Sequence, residues 1–426
     1  MRIEEGTVQT SRRRPAAARV APERVHEFVA ELLGDDVHAA RVFSFATGVV
    51  GVLHAAALGV HAIGRGLADA MGLDPKHAIK QIDRLLSNTG ITVWQWFEQW
   101  VLFVVAARTE IVVALDWTEF DKDDQSTLAA YLVTSHGRAT PLVWKTVRKS
   151  KLKNQRNEHE YQVIRRLHEL LPADVKITLL ADRGFGDQKL FTYLGLLGWS
   201  YAIRFRQAIH LTVAERMMPA SKWVPITGHA KMLRDVLITG KKTSIPAVVV
   251  KHQKGMKEAW CIATDRTDLG AAGVVQLYAR RFTIEETFRD IKDNHFGMGL
   301  SATHIGTPER RDRVLLLSAV AQALLTLLGA AGEARPRPNA QGQHRQDPHH
   351  VTLQPRNVLV PRNPQHARGT PRTAHARVRK ARRRSRSLSR TIRSHLRGWI
   401  RRGPALPRRD EEKPHAGRVV VASPAR

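Results

Sequence analysis

The chain has 426 residues and a formal net charge of +29, from 68 Lys and Arg against 39 Asp and Glu, which allows two or three domains with substantial cores and favours a polyanionic partner. Its single cysteine, Cys261, excludes an internal disulfide and a cysteine-based metal cluster, so a reducing compartment, the cytoplasm, is expected. The opening MRIEEGTVQTSRRRP has no apolar run behind its basic residues and does not read as a secretory signal.

Residues 1–21 read as a flexible basic N-terminus, and residues 22–108 as helices throughout, a candidate DNA-binding domain. PERVHEFVAELLG carries apolar residues at helical spacing. HAIKQIDRLLSN follows a helix start at Asp74-Pro75 and stops at Asn88-Thr89-Gly90. TVWQWFEQWVLFVV brings Trp94, Trp96 and Trp100 together, a pattern expected of a core helix before a base-stacking platform. Two apolar stretches, 43–64 and 314–332, approach the length of a membrane span. His54 and His61 in the first, and the line Ser318, Gln322, Thr326 in the second, favour packed helices and no membrane.

Residues 109–206 alternate regularly. IVVALDW, AAYLVTSH and TPLVWKTV read as three strands, NEHEYQVIRRLHELL as an amphipathic helix, VKITLLADRGF as a fourth strand, QKLFTYLGLLG as a second helix and WSYAIRFR as a fifth strand. Hairpins first and crossovers later is the order of an α/β, ribonuclease-H-like mixed sheet. From 207 to 272 short strands with turns predict an all-β insertion, after which residues 273–333 return to helix as the second part of the same domain.

Asp116 and Asp182 each follow a very apolar run, at the expected ends of the first and fourth strands. A lone aspartate there is commonly a turn or cap residue. Two of them at the carboxyl ends of neighbouring strands is where ligands gather. In YARRFTIEETFRDIK, a helical wheel places Tyr278, Arg281, Glu285 and Lys292 on one narrow face, with Leu277, Ile284, Phe288 and Ile291 on a separate apolar stripe. Asp116, Asp182 and Glu285, if they converge, are three carboxylates without His or Cys, the donor set of a hard cation such as Mg²⁺.

The spacing Tyr278-x2-Arg281-x3-Glu285-x6-Lys292, with LDWT around Asp116 and ADRGFG around Asp182, resembles the Y-R-E-K signature of the IS4-type insertion-sequence transposases, which are DDE recombinases. The resemblance spans roughly residues 20–333. It implies Asp116, Asp182 and Glu285 as a catalytic triad holding two Mg²⁺ (or Mn²⁺) ions. It also implies Tyr278, Arg281 and Lys292 as contacts to transposon-end DNA, and a homodimer that cleaves the element's ends and transfers the 3′-OH into target DNA. A ribonuclease-H-like nuclease or resolvase, and an impaired DNA-binding remnant, are the alternatives.

Arg289 and Arg183 are further candidate DNA contacts, Arg183 alternatively orienting Asp182. Glu286 and Asp290 are expected in salt bridges. Glu119, Asp121, Asp123 and Asp124 form an acidic loop expected to be solvated, and KTVRKSKLKNQR (145–156) a surface segment that either tracks DNA backbone or is simply solvated. His136 and His295 have no partner pattern. From Arg335 onward 24 Lys and Arg face 4 Asp and Glu, eleven of the 20 prolines occur, and Trp399 is the only aromatic residue. Residues 334–426 thus read as a basic low-complexity tail. A reading-frame shift in GC-rich DNA near Ala334 accounts for the same composition.

Overall fold

The computed structural model describes residues 20–34, 37–135 and 137–333. The expectations for the basic start, for His136 and for the tail with its frameshift alternative lie outside the described residues.

Five helices come first: α1 (Pro22–Leu33), α2 (Ala39–Ala55), α3 (Val60–Met71), α4 (Pro75–Ser87) and α5 (Val93–Val105). Pro22 and Pro75 open their helices, where the missing N–H has no intrahelical partner to lose. Asp74 caps α4 by accepting from the His77 amide at 3.0 Å. α2 and α3 are bent by 94° from one another, with Ala56 at φ 49° ending α2, so the apolar stretch 43–64 is not one helix. Trp96 and Trp100 are buried. Trp100 donates its indole N–H to Pro141 O at 2.8 Å, and Phe97 meets Trp144 edge-on at 4.6 Å. The tryptophan-rich helix is therefore the plane on which the helical region joins the sheet.

The alternating region gives β1 (Glu110–Phe120), β2 (Gln125–Val133), β3 (Ala139–Arg148), α6 (Arg156–Leu170), β4 (Lys176–Ala181), α7 (Gln188–Leu196) and β5 (Ser200–Arg204). The order is β3-β2-β1-β4-β5, with antiparallel hairpins among β1, β2 and β3 and parallel pairing of β4 with β1 and β5. Parallel neighbours need a crossover, supplied here by α6 and α7. This is the ribonuclease-H-like mixed sheet expected. The insertion contributes β6 (His210–Val213), β7 (Arg216–Pro219), β8 (Lys231–Ile238), β9 (Thr243–Lys251) and β10 (Trp260–Thr264). It is not a detached layer. β10 pairs antiparallel with β5 and covers what would be an open edge, giving one ten-stranded sheet.

Three helices close the described chain: α8 (Ala271–Ala279), α9 (Phe282–Lys292) and α10 (Pro308–Glu333). Among the described residues α10 is the one continuous helix long and apolar enough to cross a membrane. Here its Val314, Leu316, Leu317, Val320 and Leu324 are buried in the core, and it packs on β3 and α2. Its polar line is used as well, Ser318 and Gln322 meeting Met298 Sδ at 3.6 and 3.9 Å.

Four consecutive residues at the start of α10 grip four parts of the molecule. Arg310 pairs with Asp83 of α4 at 2.7 Å, Arg311 donates to Gln125 at 2.6 Å, Asp312 accepts from the Thr146 amide of β3 at 3.1 Å, and Arg313 donates to the carbonyls of Leu86 and Ile91 at 2.8 and 2.9 Å. One continuous apolar core runs through the helical region, the sheet and α10.

Candidate active site

β1 and β4 lie side by side in parallel, and their pairing ends at Leu115 opposite Ala181. The next residues are Asp116 and Asp182, so the two aspartates stand together at the carboxyl end of the parallel pair. The expectation that Asp116 ends its strand is corrected. β1 continues to Phe120 with β2 as its partner, Asp116 lying opposite Ala129. Asp116 thus marks the point where β1 loses one of its two neighbours. Asp182 begins a turn in which its Oδ1 accepts from the Gly184 amide at 2.7 Å.

The stretch from Tyr278 to Lys292, expected as one helix, is two. The Arg281 amide donates to Tyr278 O, and the Ile284 amide to Arg281 O, each at 3.0 Å, and these tight i→i+3 bonds carry the chain through the break. The break leaves Arg281 at the N-cap of α9. From there its guanidinium reaches two ways, donating to Asp116 Oδ2 at 3.0 Å and to Glu285 Oε1. Arg281 is only 4% exposed. The apolar stripe holds α9 in this orientation: Ile284 and Ile291 are buried, and Phe288 meets Tyr131 of β2 edge-on at 5.4 Å.

Burial pushes the Asp116 carboxyl up to about 6; the Arg281 charge opposes this, while Asp182 and Glu285 push in the same direction as burial. All three carboxylates therefore share one electrostatic neighbourhood. An oxygen-only donor set of this kind suits a hard divalent cation. As they stand, no three ligating side chains among the described residues are gathered closely enough to hold a metal ion. Arg281 lies between Asp116 and Glu285 and supplies the positive charge there.

The other predicted residues have different settings. Tyr278, expected to contact DNA, is fully buried with its ring 5.0 Å from Trp260 and offers no surface to a polymer as it stands. Lys292 donates to Thr118 Oγ1 at 3.1 Å and Glu119 O at 2.8 Å, and burial lowers its pKa. It anchors the far end of β1. Arg183 does not orient Asp182, because its guanidinium pairs with Glu258 at 2.8 Å. Arg289 is exposed and paired with Glu286 at 2.8 Å. Asp290 pairs with Arg138 at 2.5 Å, so Glu286 and Asp290 take the salt-bridge roles expected of them.

The acidic loop is not simply solvated. Asp123 is buried, accepting from Arg311, from His304 Nδ1 at 2.5 Å and from the Ile305 amide at 3.1 Å. Glu119, Asp121 and Asp124 face the basic segment, through Lys149 and Ser150. Much of the charge of 145–156 is thereby met within the chain. One residue beside the site escaped the sequence reading. Glu160 of α6 is buried, accepts from Trp117 Nε1 at 2.9 Å, and has its pKa raised first by burial and in smaller part by Asp187 and Asp182. Its signal was present: it shares the apolar stripe of Val163, Ile164 and Leu167, where a carboxylate is costly.

A ribonuclease-H-like sheet with two aspartates at the carboxyl end of its central parallel pair defines the class of this domain. Residues 109–322 match the transposase DDE domain family over half of the chain, and the chain belongs to that family. It is a transposase, and DNA is its substrate. No curated protein matches the chain.

Proposed function

We propose that this transposase is of the IS4 type, with Tyr278, Arg281, Glu285 and Lys292 as its Y-R-E-K signature. In this reading it cleaves the phosphodiester backbone at the ends of a mobile element and joins the freed 3′-OH to target DNA. The observation that supports it is the link through Arg281, which ties Glu285 to Asp116 although the two lie far apart in the chain.

Asp116, Asp182 and Glu285 would hold Mg²⁺ or Mn²⁺. The chemistry such ions supply is activation of the attacking oxygen and stabilisation of the leaving one in an in-line displacement. The residues' own part is positional. The two aspartates are fixed by the sheet and Glu285 by the packed face of α9. With Asp116 and Glu285 committed to an ion, the planar guanidinium of Arg281 would be free to hold a DNA phosphate bidentately. Lys292 adds positive charge beside β1. Residues 22–108 serve as the DNA-binding region, 109–206 and 273–333 as the two parts of the catalytic domain, and 207–272 as the β-rich insertion. The working unit is a homodimer on paired element ends.

The test is cleavage and joining of a duplex bearing the terminal sequence from the DNA flanking this gene. Glu285→Gln and Asp182→Asn should each reduce cleavage by at least about a hundredfold while leaving the folded state intact. Undiminished cleavage in either would overturn the assignment. Cutting without joining would favour a nuclease or resolvase.

A further inference from the structure

α3 and α4 are joined by a three-residue turn, Gly72, Leu73 and Asp74, with Gly72 at φ 66°. Two packed helices with a short glycine-bearing turn have the connection of a helix-turn-helix unit, whose second helix is suited to the major groove of duplex DNA. The crossing is tight. A Cβ at Gly64 of α3 would stand 2.6 Å from Ile79 Cα of α4, so only glycine admits this approach and α4 is held rigidly.

The inward face of α4 is Ala78, Ile82, Leu85 and Leu86. The outward stripe at i, i+3, i+4, i+7 and i+11 is His77, Lys80, Gln81, Arg84 and Asn88, and with Ser44 of α2 it lines an open groove. The charges on this helix are sorted. Asp74 is committed to the N-cap and Asp83 to Arg310, whereas the side chains of Lys80, Gln81 and Arg84 make no hydrogen bond or ion pair with any other described residue. Asn88 spends its side-chain oxygen on the Gly90 amide. A rigid helix therefore presents two unpaired cations and an unpaired amide on a single stripe.

We infer that α4 is a sequence-reading helix that enters the major groove of duplex DNA. Gln81 and Arg84 read base edges and Lys80 holds a phosphate. Arginine pairs bidentately with guanine O6 and N7, and glutamine with adenine N6 and N7. The double-stranded RNA major groove is too narrow to admit such a helix. The inference rests on the reading of residues 22–108 as the DNA-binding region and adds which helix reads and with which side chains. Arg310 and Arg313 tie α4 and the segment after it to α10, so the orientation of the reader is passed to the catalytic sheet.

The experiment is selection of binding sites by the full-length chain from a randomised duplex DNA library, with affinities then measured for the winning sequence and for scrambled duplex. The wild type should enrich one motif. Arg84→Ala and Gln81→Ala should each lose preference at particular base pairs, with affinity for the motif falling about five- to a hundredfold and affinity for scrambled duplex little changed. Lys80→Ala should weaken motif and scrambled duplex alike and lower the salt dependence of binding. An unchanged motif in folded Arg84→Ala and Gln81→Ala, or no motif at all for the wild type, would overturn the inference. The readout is binding and not cleavage, so a failure of the proposed chemistry leaves this result standing.

Discussion

Arg281 and Asp116 lie 165 residues apart, and their side chains meet at 3.0 Å. The contact joins the N-cap of α9 to the middle of β1, at the one point where β1 has just lost β4 as a neighbour. Like charges from Asp182 and Glu285 converge on the same place. Arg281 therefore supplies the counter-charge for Asp116 and Glu285 in the folded chain before any other cation arrives.

Arg281→Ala should destabilise the chain by about 3 kcal/mol, because it leaves a largely buried carboxylate beside two others with no counter-charge. Arg281→Lys should recover only part of this, since a point charge cannot span both Asp116 and Glu285 as a guanidinium fork does. Denaturant unfolding in the presence of a chelator measures both variants. Addition of Mg²⁺ should then raise the midpoint of Arg281→Ala more than that of the wild type. An equal response in the two would mean that the arginine and the ion do not share a site.

Much of this site was legible because its parts are local. IVVAL before Asp116 and ITLLA before Asp182 are short apolar runs of strand length, and Ile284, Phe288 and Ile291 marked which face of α9 turns inward. The break between α8 and α9 was hidden because the apolar period runs through it from Leu277 to Ile284. The run of β1 beyond Asp116 was hidden because Thr118 and Glu119 carry no apolar signal. Asp123 was misread for a different reason. Its partner Arg311 is 188 residues away, and nothing in the local sequence distinguishes a buried carboxylate with a distant arginine from a solvated one. The joining of β10 to β5 is likewise a matter of register between distant segments.

Asp312 gives a pH-dependent expectation with a definite sign. Desolvation in its half-buried setting raises its pKa from 3.8 to about 8, against the hydrogen bonds from Thr146. The folded state binds this proton more tightly than the unfolded state. The stability it contributes is full below pH 3.8 and is lost progressively as pH rises towards 8. Asp312→Asn keeps an oxygen for the Thr146 amide and cannot ionise. Relative to wild type it should gain stability steadily across that interval and then level off. Thermal midpoints of both proteins at acidic, neutral and mildly alkaline pH measure the difference, and a pH-independent gap would show that the carboxylate is not titrating there.

Asp123 and Arg311 form the most deeply buried ion pair in the described structure, with side-chain exposures of 3% and 0%. Burial lowers the Arg311 pKa to about 10, and Asp123 is the group that chiefly opposes the fall. Asp123→Asn retains an oxygen for the Ile305 amide but leaves the guanidinium without a counter-charge, and should cost about 3–5 kcal/mol. Replacing both partners removes the desolvated charges together, so Asp123→Asn with Arg311→Met should be less damaging than the sum of the single changes. The coupling energy from a double-mutant cycle in urea should exceed about 1 kcal/mol. Additive losses would mean that each residue acts through separate contacts, Asp123 through His304 and Ile305, Arg311 through Gln125 and the ring of Phe120 at 3.7 Å.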